Sequence, residues 1–171
     1  MINYSEQKYA SSTIEVKYVE GPDNGPPMVL IHGLGARWAA WDPVIDQFAE
    51  KWHVYAVDLR GHGDSGRVPD SYAFVDYPTE IMEFLRDVVG QPAFLVSHSL
   101  GAVTATRTPA AYRAAGLPLQ GRSPLRGDKV NPPPPWGCDS RQGSHTINDL
   151  VTMLAIQYIY AVPIWGQSMV R

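Results

Sequence analysis

The stretch Ala93-Phe94-Leu95-Val96-Ser97-His98-Ser99-Leu100-Gly101-Ala102-Val103-Thr104-Ala105 sets the reading of everything around it. Its first residues form a short apolar run suited to a strand buried on both faces, and the small-residue run after Gly101 suits a helix. Ser99 stands at the junction. A strand that passes directly into a helix can present such a serine on a sharp, strained turn, provided that the residues two before and two after it are small. Gly101 meets the condition on one side. On the other, Ser97 occupies the position where the G-x-S-x-G pattern has glycine, and it is still small. Ser99 is therefore a candidate nucleophile, weighed against a serine that merely caps the following helix.

Working outward, the same alternation recurs upstream. Met28 to Ile31 is another short apolar run, and it ends in His32-Gly33-Leu34-Gly35. Trp41, Val44, Ile45 and Phe48 follow at helical spacing, with Asp42 placed to cap that helix and Pro43 tolerated in its first turn. His53 to Leu59 reads as a further buried strand, broken by the turn-formers of Arg60-Gly61-His62-Gly63-Asp64-Ser65-Gly66. Tyr77 to Val89 repeats the helical spacing through Ile81, Phe84, Leu85 and Val88, and Gly90 is its natural stop. Ahead of all these, Ser12 to Glu20 alternates around Ile14, Val16 and Tyr18 as a half-buried strand does. Buried strands alternating with amphipathic helices imply βαβ crossovers. The expected fold class is α/β: a three-layer αβα arrangement around a mostly parallel sheet.

Three motifs in order, HGLG at 32–35, DLRGHGDS at 58–65 and SHSLG at 97–101, resemble those that follow the third, fourth and fifth strands of the α/β-hydrolase family. The resemblance covers roughly residues 12 to 105. It implies that Ser99 attacks an acyl carbon, and that the turn after His32-Gly33 lends a backbone N–H to an oxyanion hole. Leu34 is then the candidate donor beside Gly33, paired with the N–H of Leu100. It also implies a carboxylic ester or related small-molecule acyl substrate. A serine nucleophile disfavours the dehalogenase and epoxide-hydrolase branches, for which the resemblance leads one to expect aspartate.

A serine hydroxyl needs a base, and the chain offers five histidines. The likeness suggests that His32 holds the oxyanion turn. His62 lies in the tight turn after a strand, His53 opens a strand, and His98 directly precedes the nucleophile, where its ring should point away from the serine hydroxyl. His145 in Gln142-Gly143-Ser144-His145-Thr146-Ile147 is the remaining candidate, with Asp128 or Asp139 as the acid. Spacing argues against it, because the family normally places a sixth strand, often a cap, and a seventh strand between elbow and acid. An incomplete triad and impaired activity are expected. Asp58 and Asp64 flank the Arg60 turn and are expected to brace it by hydrogen bonds and charge pairing, in preference to a catalytic role. Trp38, Trp41 and Trp52 lie at helix positions where core packing is the commoner fate.

Composition draws a seam near residue 105. Residues 1–104 carry a net charge of −7, whereas 105–171 carry +4, contain no Glu or Phe, and hold eight of the fifteen prolines, including Pro132 to Pro135. Residues 1–105 are read as the N-terminal half of a hydrolase core. Residues 106–171 are read as an atypical, truncated or disrupted remainder, which leaves the fold C-terminally incomplete. Two explanations stay open: a disrupted reading frame or internal deletion, or a genuine short chain with a stunted sixth strand at Gly116 to Gln120 and a cap at 136–171. Either leaves a sheet edge to cover, so marginal stability and self-association are expected. Ile147 to Trp165 is read as an interior helix rather than a membrane span, since polar residues and Pro163 interrupt it.

The overall charge of −3 favours neither nucleic acid nor a membrane surface as partner. Cys138 is the only cysteine and fits a reducing compartment, and MINYSEQKYASS lacks the pattern of a secretory signal; both point to a cytoplasmic location. No cysteine pair, clustered His and carboxylate ligands or Gly-rich phosphate loop is present, so no metal or cofactor is implied. A non-catalytic fragment or binding domain of the same fold is the alternative to a serine hydrolase.

Overall fold

A computed structural model describes residues 2–69, 72–91, 93–114 and 158–162. Along the chain come β1 (Ser5–Ala10), β2 (Glu15–Glu20), β3 (Pro27–Ile31), a 3-10 turn (Trp38–Trp41) leading into α1 (Asp42–Ala49), and β4 (His53–Val57). There follow α2 (Asp76–Phe84), extended by a π-helical turn (Leu85–Val89), then β5 (Ala93–Ser97), α3 (Leu100–Ala114) and β6 (Tyr158–Val162). Among the described residues the sheet runs β1-β2-β4-β3-β5-β6. Its centre, β4-β3-β5, is parallel, and β1, β2 and β6 join antiparallel at the flanks.

The apolar runs explain the parallel centre. All five residues of β3 are buried, because successive side chains point to opposite faces and both faces are covered. Met28 and Leu30 pack with Val54, Ala56 and Val96 against Trp41, Ile45 and Phe48 on the α1 side. Val29 and Ile31 pack with Tyr55, Val57 and Leu95 against Ile81 and Phe84 of α2, Leu85 of the π-helical turn and Ala105 of α3. This is the three-layer αβα arrangement. Each fully buried aliphatic side chain contributes roughly 1.5–3 kcal/mol, so the two faces of β3 alone make it the structural axis.

Several local expectations need correction. Asp42 does not cap α1: the N-cap is Trp41, without a side-chain hydrogen bond, and Asp42 lies inside the first turn, where its charge suits the helix dipole. β2 is covered on both faces rather than half-buried, since Lys17 and Val19 are buried as well as Val16 and Tyr18. Val19 packs into the α1-side cluster, and Lys17 pairs with Glu6 of β1, an edge strand that no apolar periodicity announces. It is exposed almost throughout and is held to β2 partly by Lys17–Glu6 at 2.7 Å and Lys8–Glu15 at 2.6 Å. Trp52 lies in the turn between α1 and β4 rather than on a helix, yet it is buried edge-on to Phe94.

Gly90 ends the α2 segment as its position implied. It adopts φ +65°, a conformation that favours glycine, and its N–H reaches back to the carbonyl of Leu85 at 2.9 Å. In Ile147 to Trp165 the described residues are a strand, not a helix. The β-branched and aromatic sequence of Tyr158–Val162 pairs with β5, from Ser97↔Tyr158 to Ala93↔Val162. The suggested strand at Gly116 to Gln120 and the suggested cap, apart from β6, lie outside the described residues. α3 itself runs across the compositional seam.

Candidate active site

Ser99 occupies the turn between β5 and α3 with φ +51°, the only described non-glycine residue in the left-handed region. Such a backbone costs a serine about 1–3 kcal/mol, which the surrounding structure must offset. Two close approaches do so. The Gly101 N–H donates to the His98 carbonyl at 2.9 Å, and the Ala102 N–H donates to the Ser99 carbonyl at 2.9 Å, closing the first turn of α3. A side chain at Gly101 is impossible without movement: its Cβ would stand 2.3 Å from the Ile31 carbonyl oxygen and 2.6 Å from that of His32. Ser97, in the other small-residue position, is fully buried, whereas Ser99 is exposed.

The turn after β3 meets this bend. The His98 N–H donates to the Ile31 carbonyl at 3.1 Å, which ties the end of β5 to the end of β3. A Cβ on Gly33 would lie 2.7 Å from His98 Nδ1 and 3.1 Å from the Ser99 Cβ. Glycine at 33 therefore allows the HGLG turn to press against the Ser99 turn, and His98 lies beside that glycine. Leu34 follows with its side chain 76 % exposed, so packing does not explain its place in the loop. Neither the Leu34 nor the Leu100 N–H donates to a backbone acceptor among the described residues.

His32 is buried and fully engaged. Its Nε2 accepts the Leu59 N–H at 3.0 Å, so the proton is on Nδ1, which donates to the Gly33 carbonyl at 2.7 Å. Burial holds its imidazole below the usual histidine range, in the neutral form that this bonding requires. His62 packs 5.2 Å from it and uses Nδ1 on the Arg60 carbonyl. His53, at the start of β4, bonds Glu20 at 2.9 Å. His145, Asp128 and Asp139 lie outside the described residues.

Asp58 braces loops by hydrogen bonding, as its position implied, but charge pairing in this turn works differently. Arg60, buried to 2 % exposure, pairs with Glu80 and Asp76 of α2 rather than with Asp58 or Asp64. Thr13 joins it, accepting from the Arg60 guanidinium at 2.8 Å and donating to Glu80 at 2.7 Å. Sequence reading missed Glu80 because a Glu on an amphipathic helix reads as a solvated face. Removing one member of a buried pair of this kind costs about 3–5 kcal/mol. Trp41 and Trp52 are core residues, with Trp38 packed against the same cluster.

Residues 28–166 match the model of the alpha/beta hydrolase family. The chain belongs to that family. Over 82 residues it is 34 % identical to an (E)-2-((N-methylformamido)methylene)succinate hydrolase of Acinetobacter baylyi, a match that covers 48 % of this chain and 31 % of the relative. It is 33 % identical to epoxide hydrolase 3 of Mus musculus over 95 residues, 54 % of this chain and 26 % of the relative. A solved E-2-(acetamidomethylene)succinate hydrolase superposes with a TM-score of 0.60 at 29 % identity, covering 65 % of this chain and 41 % of that one. The matched stretch thus spans between about a quarter and a third of the length of these curated relatives. Among the described residues no helix is long and apolar enough to cross a membrane, and no group of three His, Cys, Asp or Glu is placed to hold a metal ion.

Proposed function

We propose that this chain is a serine hydrolase for carboxylic ester or related acyl substrates, with Ser99 as nucleophile and the N–H groups of Leu34 and Leu100, beside Gly33, as oxyanion donors. The single observation that carries the reading is the left-handed backbone of Ser99 directly against Gly33. Strain at one non-glycine residue, on a turn built to hold it, is what a nucleophile elbow requires. Two fixed donors aimed at a developing oxyanion matter greatly, since loss of one costs roughly 3–4 kcal/mol of barrier.

The nature of the nucleophile separates the acyl reading from the epoxide one. A carboxylate that opens an epoxide forms an ester, which water can cleave; a serine alkoxide would form an ether, which it cannot. An acyl-serine is an ester and turns over. The succinate hydrolases named above support an acyl carbon as the target, and the substrate itself would be a small molecule reached from solvent, with no nucleic acid or membrane as partner and a cytoplasmic setting. His145 is the base this reading has to offer, and the short stretch of chain between Ser99 and the candidate acid Asp128 makes impaired turnover the expectation.

Labelling with a fluorophosphonate tests the assignment. Ser99-dependent labelling of the full chain, lost in Ser99→Ala, is the expected result. Absence of labelling favours a non-catalytic binding domain of the same fold. A His145→Ala variant that labels as fast as wild type identifies the impaired state, whereas a large loss shows an assembled pair.

A further inference from the structure

We propose that Asp58 is the positioning residue of the oxyanion-binding turn, an inference that rests on Ser99 being the nucleophile. Asp58 directly follows β4 and is 1 % exposed. Its Oδ1 accepts the Trp38 N–H at 2.6 Å, and its Oδ2 accepts the Asp64 N–H at 3.0 Å. The neighbouring Leu59 donates its N–H to His32 Nε2. Two consecutive residues at the end of β4 therefore pin both ends of the loop from His32 to Trp38, and the Leu34 amide lies between the pins. Within that span the Gly33 carbonyl accepts from Ala36 N–H at 3.2 Å and from His32 Nδ1.

The side chain has to be a carboxylate. Each of its oxygens faces a backbone N–H, so an amide in its place would aim an NH2 group at one of those donors. Gly63 makes room for it: with φ +49°, a Cβ there would lie 1.9 Å from Asp58 Oδ2. Both carboxylate oxygens are thus taken up by backbone N–H groups, and among the described residues no histidine ring nitrogen hydrogen-bonds Asp58. A loop that closes only its own turn would need the Asp64 bond alone. The Trp38 bond reaches instead into the element that carries Leu34.

The test measures the rate constant and final extent of fluorophosphonate labelling together with the folded fraction from urea unfolding, because the rate per folded molecule is what reads the oxyanion donors. Asp58→Asn is expected to reach the wild-type extent roughly ten- to a hundred-fold more slowly, the effect of displacing a group by up to about an ångström. Glu80→Gln, which weakens the fold without touching the clamp, serves as control and labels at the wild-type rate per folded molecule. Where Asp58→Asn does not fold, Trp38→Pro removes the donated N–H and leaves the carboxylate; Arg37, at φ −150° and ψ 177°, already has the extended backbone that a following proline demands. The same slowing is expected. Wild-type rates in the folded clamp variants, or equal slowing in Glu80→Gln, overturn the role of Asp58 alone. Wild-type protein that does not label, or labelling that persists in Ser99→Ala, removes the nucleophile and the clamp together.

Discussion

Gly101 lies so close to Ile31 that a Cβ on the glycine would stand 2.3 Å from the isoleucine carbonyl oxygen. The first turn of α3 thus rests on the end of β3, and the depth of that contact places Ser99 over the HGLG turn. Gly101→Ala is expected to destabilise by at least about 1–3 kcal/mol, since both obstructing atoms are backbone. It should also slow fluorophosphonate labelling by moving α3 outward. Gly90→Ala is the contrast: the site is open, with nothing within 4 Å of the added Cβ, but φ is +65°. Its cost is conformational, about 1–2 kcal/mol, and labelling is retained. Urea unfolding and labelling of both variants check the pair; equal labelling would sink the steric argument.

The strain at Ser99 predicts an unusual order of stabilities. With φ +51°, alanine at 99 keeps the left-handed penalty, whereas glycine loses it. Ser99→Gly is expected to be more stable than Ser99→Ala by about 0.5–1 kcal/mol, after allowance for the greater freedom of glycine in the unfolded chain. Neither variant labels. Chemical denaturation of the two side by side measures the difference, and an alanine variant at least as stable as the glycine variant contradicts a strained turn.

His32 makes stability depend on pH in a definite direction. Burial lowers its folded pKa below the ordinary value of 6.5, so on acidification the unfolded chain takes up the proton first. The stabilisation from neutral His32 is complete above the unfolded value and is lost as pH falls below it. His32→Asn does not titrate, so the wild-type advantage over this variant should shrink between about pH 7 and about pH 5, by up to about 1.4 kcal/mol per pH unit. Unfolding free energies of the two proteins across that range provide the measurement. A constant or growing difference is incompatible with the bonding described for the ring.

The parts of this molecule that were legible in the chain are those that depend on near neighbours. Met28 to Ile31, Val54 to Val57 and Ala93 to Val96 are apolar without interruption because the strands they form are covered on both faces, and Gly90 stops a helix because it accepts a left-handed backbone. The position of the Ser99 turn follows from the same local logic. β1 escaped notice because an exposed edge strand has no buried face to write an apolar pattern. Spacing alone makes Asp42 a cap, but the 3-10 turn before α1 moves the helix start by a residue, and such boundaries depend on packing around Trp41.

Amino-acid order alone sufficed to establish the α/β alternation, the motif order and the candidate nucleophile, since hydrophobic period and turn chemistry act over a few residues. Only the folded chain brought Gly33 against Ser99, Asp58 to the Trp38 amide and Arg60 to Glu80. Those partners are far apart in the chain, and they meet only because the register of β3, β4 and β5 and the seating of α2 and α3 bring their ends into contact.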